Sequence, residues 1–395
     1  MKTPLAWLNL LHDKTRTLVA LAGVAFAVVL ILMQIGFLNA VRETATQIYR
    51  QIEFDLLITS PQYLYISKSG TFPRTRLYQA MSAPGVADAN PLYLGFNYWL
   101  KRDGTAATES ADGPLPPAAA GEKPRRRGIF VLGFNLSDPA FRLPDLGADV
   151  APLKKPGNVY MDTYSRPEFG AWDVGTRAEV GRKQIEVAGK FSMGTGFGAD
   201  GAIIVSDRTF LELFPLRTRD DVSLGLIQLR DGADPAEVAR RLDEVLPQDV
   251  RIWTRAQIEE HERHHWLVKT SVGIIFSLGV VVGFIVGTAI VYQVLSSDIA
   301  NHMPEYATLK AMGYGPRYLA KVVLVQALIL AVVGFLPGYA ISKVLYAVTS
   351  RTAHIAMELG PELTVAILLT SVAMCSLSGL ASLRKVNSAD PADLF

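Results

Sequence analysis

Cysteine is almost absent: Cys375 is the one among 395 residues, so no disulfide forms within the chain and any domain it builds is held by its own core. Charge is scarce as well, with 19% charged against 50% hydrophobic residues and a mean hydropathy of +0.23. Such a balance excludes an ordinary water-soluble protein and points to a membrane protein. The scarcity is concentrated in four runs without a single charge, 17–41, 270–297, 322–342 and 363–383. Each suits the ~20 helical residues that cross a hydrocarbon core. None of the four holds Asp, Glu, Lys, Arg or His. That lack counts against ion coupling, which uses intramembrane carboxylates, and against an intramembrane hydrolase, which needs an acid and a base or metal ligands. The chain also has no GxxxxGK[ST] loop, and Gly189-Lys190-Phe191 lacks both the spacing and the hydroxyl, so ATP is not bound by that route. A net charge of +2 says little about partners, and no nucleic-acid partner is expected.

What is present gives the topology. Lys14 and Arg16 precede the first run as they would in a signal peptide, but the run exceeds the ~7–15 residues of a signal's apolar core and ends in no small-x-small cleavage site. It reads as an anchor. In the short segments, Lys2, Lys14, Arg16, Lys310, Arg317, Lys321, Arg384 and Lys385 collect on one side, and only Lys343 and Arg351 on the other. Positive residues stay inside, so both termini and the 298–321 loop face the cytoplasm and 42–269 lies outside.

The expected map is therefore an interfacial N-terminal helix at 1–16 with Trp7 at headgroup level, spans at 17–41, 270–297, 322–342 and 363–383, a short outer loop at 343–362 and a cytoplasmic tail at 384–395. Within 42–269 two strand–helix–strand units are expected at 54–100 and 217–254, flanking a β-rich insertion at about 101–216. Val238, Leu242 and Val245 mark the buried stripe of the second unit's helix. The Ala-, Pro- and Gly-rich 103–123 stretch reads as a loop, and Lys123-Pro-Arg-Arg-Arg127 as a solvated basic turn that could also meet acidic lipid.

Two stretches are candidate sites, and two others are weighed against ordinary structure. Between the second and third spans, Pro304 and Glu305 suit the start of a helix that Gly313 stops, and Tyr306, Leu309, Lys310 and Gly313 share one face that could dock on a partner. An ordinary capped helix in a connecting loop fits the same spacing. Gly279, Gly283 and Gly287 recur every four residues in the second span, as Gly334 and Gly338 do in the third, which suits close helix packing or a dimer contact. His261, His264 and His265 stand at helical spacing among glutamates, but no closed ligand set accompanies them, and they read as part of a polar juxtamembrane helix. Gly194-Thr-Gly-Phe-Gly-Ala-Asp-Gly201 lies between strands rather than opening a helix and reads as a turn.

An amphipathic N-terminus, one span, a large outer segment, three more spans and Glu305-Tyr-Ala-Thr-Leu-Lys-Ala-Met-Gly-Tyr314 resemble the FtsX-like permeases, ABC-system membrane subunits that include the MacB type. Residues 222–229, Asp231-Gly-Ala-Asp-Pro235, Ser206-Asp207 after Ala-Ile-Ile-Val, and Asp390-Pro-Ala-Asp-Leu-Phe395 are similar to the DevC branch of exporter permeases. The resemblance implies a type VII ABC permease: four transmembrane helices with a large α+β periplasmic domain, in the inner membrane. It implies a homodimer bound to a separate ABC ATPase chain, since only residues 1–16 precede the first span. ATP and Mg would sit on that partner, with no cofactor, metal or catalytic residue in this chain. Pro304, Glu305, Tyr306, Leu309, Lys310 and Gly313 would then be the ATPase-coupling residues, and the outer domain would meet a periplasmic membrane-fusion adaptor feeding an outer-membrane channel. Lipoprotein release and control of a cell-wall hydrolase share this architecture. A membrane-anchored sensor without an ATPase is the rival of another class.

Overall fold

The computed structural model describes residues 14–100, 126–138, 141, 150–170, 172–194, 199–301, 303, 305, 308, 312–353 and 359–388. The expected N-terminal interfacial helix up to residue 13, the 103–123 loop and the middle of the 194–201 turn lie outside them. The chain divides into two compact units, Val41–Lys269 and a helical unit of Met1–Ala40 with Thr270–Phe395.

Helix α1 (Lys14–Gln51) runs from the helical unit into Val41–Lys269, the part expected outside and termed the outer unit, whose first strand β1 (Leu56–Thr59) follows after a short link. There follow β2 (Phe72–Pro73), α2 (Thr75–Met81), β3 (Val86–Leu100), β4 (Arg126–Phe134), β5 (Asn158–Asp162), β6 (Arg177–Val180), β7 (Lys183–Phe191), β8 (Ala202–Ser206) and α3 (Asp207–Leu213). β9 (Asp221–Val222), β10 (Leu224–Leu229), α4 (Pro235–Val245), β11 (Arg251–Thr254) and α5 (Arg255–His264) complete it. Local chemistry starts the helices where they start. Asp234 accepts the Ala236 amide at 3.1 Å with Pro235 behind it, which opens α4 and turns Val238 and Leu242 onto the sheet, while Val245 stays exposed.

The two expected strand–helix–strand units interlock within one sheet. The sheet order is β11-β1-β10-β3-β4-β8-β5-β7-β6, so β10 lies between β1 and β3, the split arrangement of a β-α-β-β-α-β frame. The strands of the expected β-rich insertion continue the same sheet: the 15-residue β3 pairs with β10 in its first half and with β4 in its second. The far end of β3 also pairs with β6, Trp99 opposite Val180, which closes six strands into a ring. Side chains alternate across the sheet. Leu56 and Ile58 join Leu77 of α2 and Leu242 of α4 on one face; Leu57 joins Tyr49 of α1 and Ile258 of α5 on the other. Fully burying residues of this size contributes about 1.5–3 kcal/mol each.

Gly133 on β4 shows how tight this packing is. A Cβ there would stand 2.5 Å from the Phe210 Cβ of α3, whereas one at Gly128 in the same strand meets nothing within 4 Å. Gly133→Ala is expected to destabilise the protein by about 1–3 kcal/mol. Thermal unfolding in detergent, with Gly128→Ala as the neutral control, measures it.

The helical unit adds α6 (Ser271–Asn301), α7 (Pro316–Ala353) and α8 (Pro361–Ser388) to the first part of α1. These four helices are long and apolar enough to cross a membrane. Val24, Val28 and Leu32 of α1 pack with Val291 and Leu295, Ala327 and Ala331, and Met374 and Cys375 from the other three. α7 passes Pro337 without a break. Ile274, Ile275, Leu278, Val281 and Ile285 of α6 stay exposed, an apolar surface suited to lipid or another apolar helix.

Candidate functional site

The two chain connections to the membrane spans leave the outer sheet as neighbours. β1 and β11 pair antiparallel with Leu56 opposite Thr254; α1 leads into β1, and β11 leads straight into α5. Thr254 and Gln257 cap α5 reciprocally, the Thr254 hydroxyl accepting the Gln257 amide and the Gln257 side chain accepting the Thr254 amide. This fixes Arg255 at the first turn of α5, the unfavourable end of its own helix dipole for a cation. Its partner is the other helix. Nη1 donates to the Tyr49 carbonyl at 2.5 Å and Nη2 to the Ile52 and Phe54 carbonyls at 3.1 and 2.6 Å, with the guanidinium 4.0 Å over the Phe54 ring. Arg255 therefore caps the C-terminal end of α1, whose last carbonyls have no helical partner.

Two turns on, Glu262 ties the same helices again. It is fully buried, and the Tyr49 hydroxyl of α1 donates to its Oε1 at 3.0 Å. The Tyr63 hydroxyl donates to the same oxygen and also meets the Tyr49 hydroxyl. Among the described residues no lysine or arginine pairs with this carboxyl. Burial pushes Glu262 up from 4.5 to about 7, against the opposing pull of hydrogen bonds from Tyr63, Tyr49, the Ile66 amide and Trp266. Burial likewise raises both phenols well above 10. The arrangement joins α1, the 61–68 loop and α5 through one acid that titrates near neutral pH.

The histidines point to aromatic neighbours. His261 Nε2 lies 3.1 Å from the Leu64 carbonyl and its ring 5.0 Å from Trp253, while His265 stacks on Tyr65 at 4.7 Å. Burial lowers the pKa of both. Among the described residues no group of three His, Cys, Asp or Glu is placed to hold a metal.

The two connections differ in kind. α1 is unbroken over 38 residues, about 57 Å at helical rise, roughly twice the ~30 Å hydrocarbon thickness. α5 instead widens into a π turn, His265–Lys269, before α6 begins at Ser271. A π turn is a local departure from helical hydrogen bonding of the kind found at functional sites.

The glycines predicted for packing line α1. Gly279 faces Gln34, Gly283 faces Ile31, and Gly287 faces Ala27 and Met374, so this side of α6 is covered within the chain. Gly334 and Gly338 of α7 face Val24 and Val28, and α1 lies between two glycine stripes. Of the predicted coupling residues, Glu305 is helical and exposed, and Gly313 adopts the left-handed φ of 92° in the turn that follows. Pro304, Tyr306, Leu309 and Lys310 lie outside the described residues. Arg255, Glu262, Tyr49 and Tyr63 were not predicted. One signal was available: Ile258, Glu262 and Trp266 are four apart, which places Glu262 on the apolar side of α5.

Residues 17–245 match the family described as MacB-like periplasmic core domain, and residues 274–391 that described as FtsX-like permease C-terminal. Among solved structures, the periplasmic region of MacB from Actinobacillus actinomycetemcomitans is similar at 10% identity and a TM-score of 0.33, over 52% of this chain and 90% of that one. The extracellular domain of the noncanonic ABC-type transporter YknZ from Gram-positive bacteria is similar at 12% identity and a TM-score of 0.33, over 51% of this chain and all of that one. A search of curated proteins finds no match.

Proposed function

Because the chain belongs to the FtsX-like permeases with a MacB-like periplasmic core domain, membrane subunits of ABC transporters that work with an ATPase, we propose that it transmits ATPase motion across the inner membrane to its outer unit. The observation that carries this reading is α1, one helix that continues from the charge-free span into the outer unit and ends under the Arg255 cap. Motion of this helix passes along the chain to β1, which pairs with β11. The π turn on the second connection supplies the complementary compliance. ATP and Mg belong to a separate ATPase chain that docks on the 298–321 loop, with both termini on the same cytoplasmic side. The chain works as a homodimer and contributes no catalysis of its own. The outer unit opens and closes on a substrate and hands it to a periplasmic adaptor and an outer-membrane channel, as in the DevC branch of exporters. Nucleotide state biases a conformational equilibrium in this mechanism.

A tagged chain purified in mild detergent from its native membrane tests the reading, with co-purifying proteins identified by mass spectrometry. A P-loop ATPase and a periplasmic adaptor are expected. Glu305→Lys, which reverses charge at an exposed helical position, should lose the ATPase and keep the adaptor. A chain that comes down alone, or with a soluble signalling protein, is a sensor and not an exporter subunit.

A further inference from the structure

Next to the acid that joins α1 and α5, the outer unit carries a rim of a different character. The 61–68 loop folds back on itself, with the Lys68 amide donating to the Tyr65 carbonyl at 2.7 Å and the Leu64 amide to the Lys68 carbonyl at 3.1 Å. Tyr65 stacks on His265 and meets Trp266 edge-on at 5.6 Å, which fastens the loop to the His265–Lys269 π turn. Two large apolar side chains project from this pair, Leu64 at 52% and Val268 at 55% exposure, and Lys68 and Lys269 are exposed beside them. An exposed leucine on a short loop that is otherwise firmly packed has lost hydrophobic stabilisation unless something apolar covers it.

Chain continuity says what does. Val268 and Lys269 directly precede the charge-free run that begins at Thr270, so the π turn stands where a span meets the outer headgroups. Tyr and Trp rings favour that level, and lysines there lay their stems along apolar surface while keeping their ammonium groups at the headgroups. We infer that the 61–68 loop and the π turn form one lipid-contacting rim, with Leu64 and Val268 inserted into the outer leaflet and Lys68 and Lys269 at its headgroups. Because Tyr63 of the same loop donates to Glu262, lipid contact bears directly on the joint between α1 and α5. The inference needs the membrane spans and not the ATPase.

Spin labels test it on the full chain, in a Cys375→Ala background reconstituted in phosphatidylethanolamine–phosphatidylglycerol vesicles. Leu64→Cys is compared with Ile275→Cys, exposed on α6 in the span, and Leu216→Cys, 96% exposed in the outer unit. Collision rates are measured with oxygen, which concentrates in lipid, and with a water-soluble nickel chelate. The rim predicts that the Leu64 label favours oxygen, as the Ile275 label does. A Leu64 label that favours the chelate as Leu216 does overturns the inference. So does one shielded from both reagents, which would mean that protein covers the loop.

Discussion

Arg255→Ala is expected to uncouple transport from ATP hydrolysis and to lower the melting temperature of the protein, while leaving the chain in the membrane. The guanidinium serves the Tyr49 carbonyl in the last turn of α1 and the Ile52 and Phe54 carbonyls in the link that follows, and no other side chain is seen to donate to them among the described residues. Hydrogen bonds from a charged donor contribute about 1.5–3 kcal/mol each, and the three are not additive, so a total loss of roughly 3 kcal/mol is a restrained figure. For a domain of this size that is a fall of about 6–12 °C in Tm. Arg255→Lys should recover little, because one ammonium on a flexible stem cannot span three acceptors that a planar fork reaches together. The measurements are thermal unfolding and ATP-driven transport with the partner ATPase in proteoliposomes. If Arg255→Ala melts early yet transports at the normal rate per folded molecule, the cap is a stability feature and plays no part in coupling.

Stability should fall as pH rises through neutrality, the reverse of the usual behaviour of a paired carboxylate. Glu262 holds its proton more tightly in the folded protein, with a pKa raised from 4.5 to about 7 by burial. A raised carboxyl pKa gives stability that is fully present below the unfolded value and is lost as pH climbs through the folded one. At about 1.4 kcal/mol per unit, the loss from about pH 5.5 to about pH 8.5 is on the order of 2 kcal/mol. His261 and His265 act in the opposite sense, since burial lowers their pKa and protonation below about pH 6.5 then opposes folding. The groups that face Glu262 are Tyr49 from α1, Tyr63 from the loop and Trp266 from the π turn, and Arg255 stands two turns away on the same helix. Comparing wild type with Glu262→Gln isolates the acid: the glutamine keeps the shape and removes the proton, so its stability should lack the decline between these pH values. An identical pH profile for the two proteins would contradict a neutral, buried Glu262.

The four long apolar helices were legible because absence of charge over twenty or more residues is a property of composition that no tertiary contact overrides. α4 was legible for a similar reason, its Asp234–Pro235 start and its Val238–Leu242 spacing both being local. Helix ends were harder to place. The first hydrophobic run stops at Val41, but α1 continues ten residues further on polar and charged side chains, with Arg50 paired to Glu43 at 2.8 Å. Hydropathy marks where the charge-free run ends and not where the helix does. The interlocked sheet was illegible because β1 finds its partners in β10 and β11, far along the chain, and alternation within each strand carries no information on which strand it meets. The acid at the joint was only half legible. Its spacing from Ile258 and Trp266 marks Glu262 as the one of the five charged residues of α5 that lies on the apolar side, but its partners Tyr49 and Tyr63 are 213 and 199 residues away and no local pattern names them.

The most direct test of transmission is hydrogen exchange on the full chain with its ATPase in lipid nanodiscs, comparing the nucleotide-free complex with one trapped by ATP and vanadate. Peptides covering 45–66 and 251–269 hold the Arg255 cap and the Glu262 joint, and the 298–321 loop holds the proposed ATPase contact. The account predicts that trapping changes protection at the loop and at both outer peptides together. Changed protection at the loop with both outer peptides unaltered would show that ATPase motion stops at the membrane, and would contradict it.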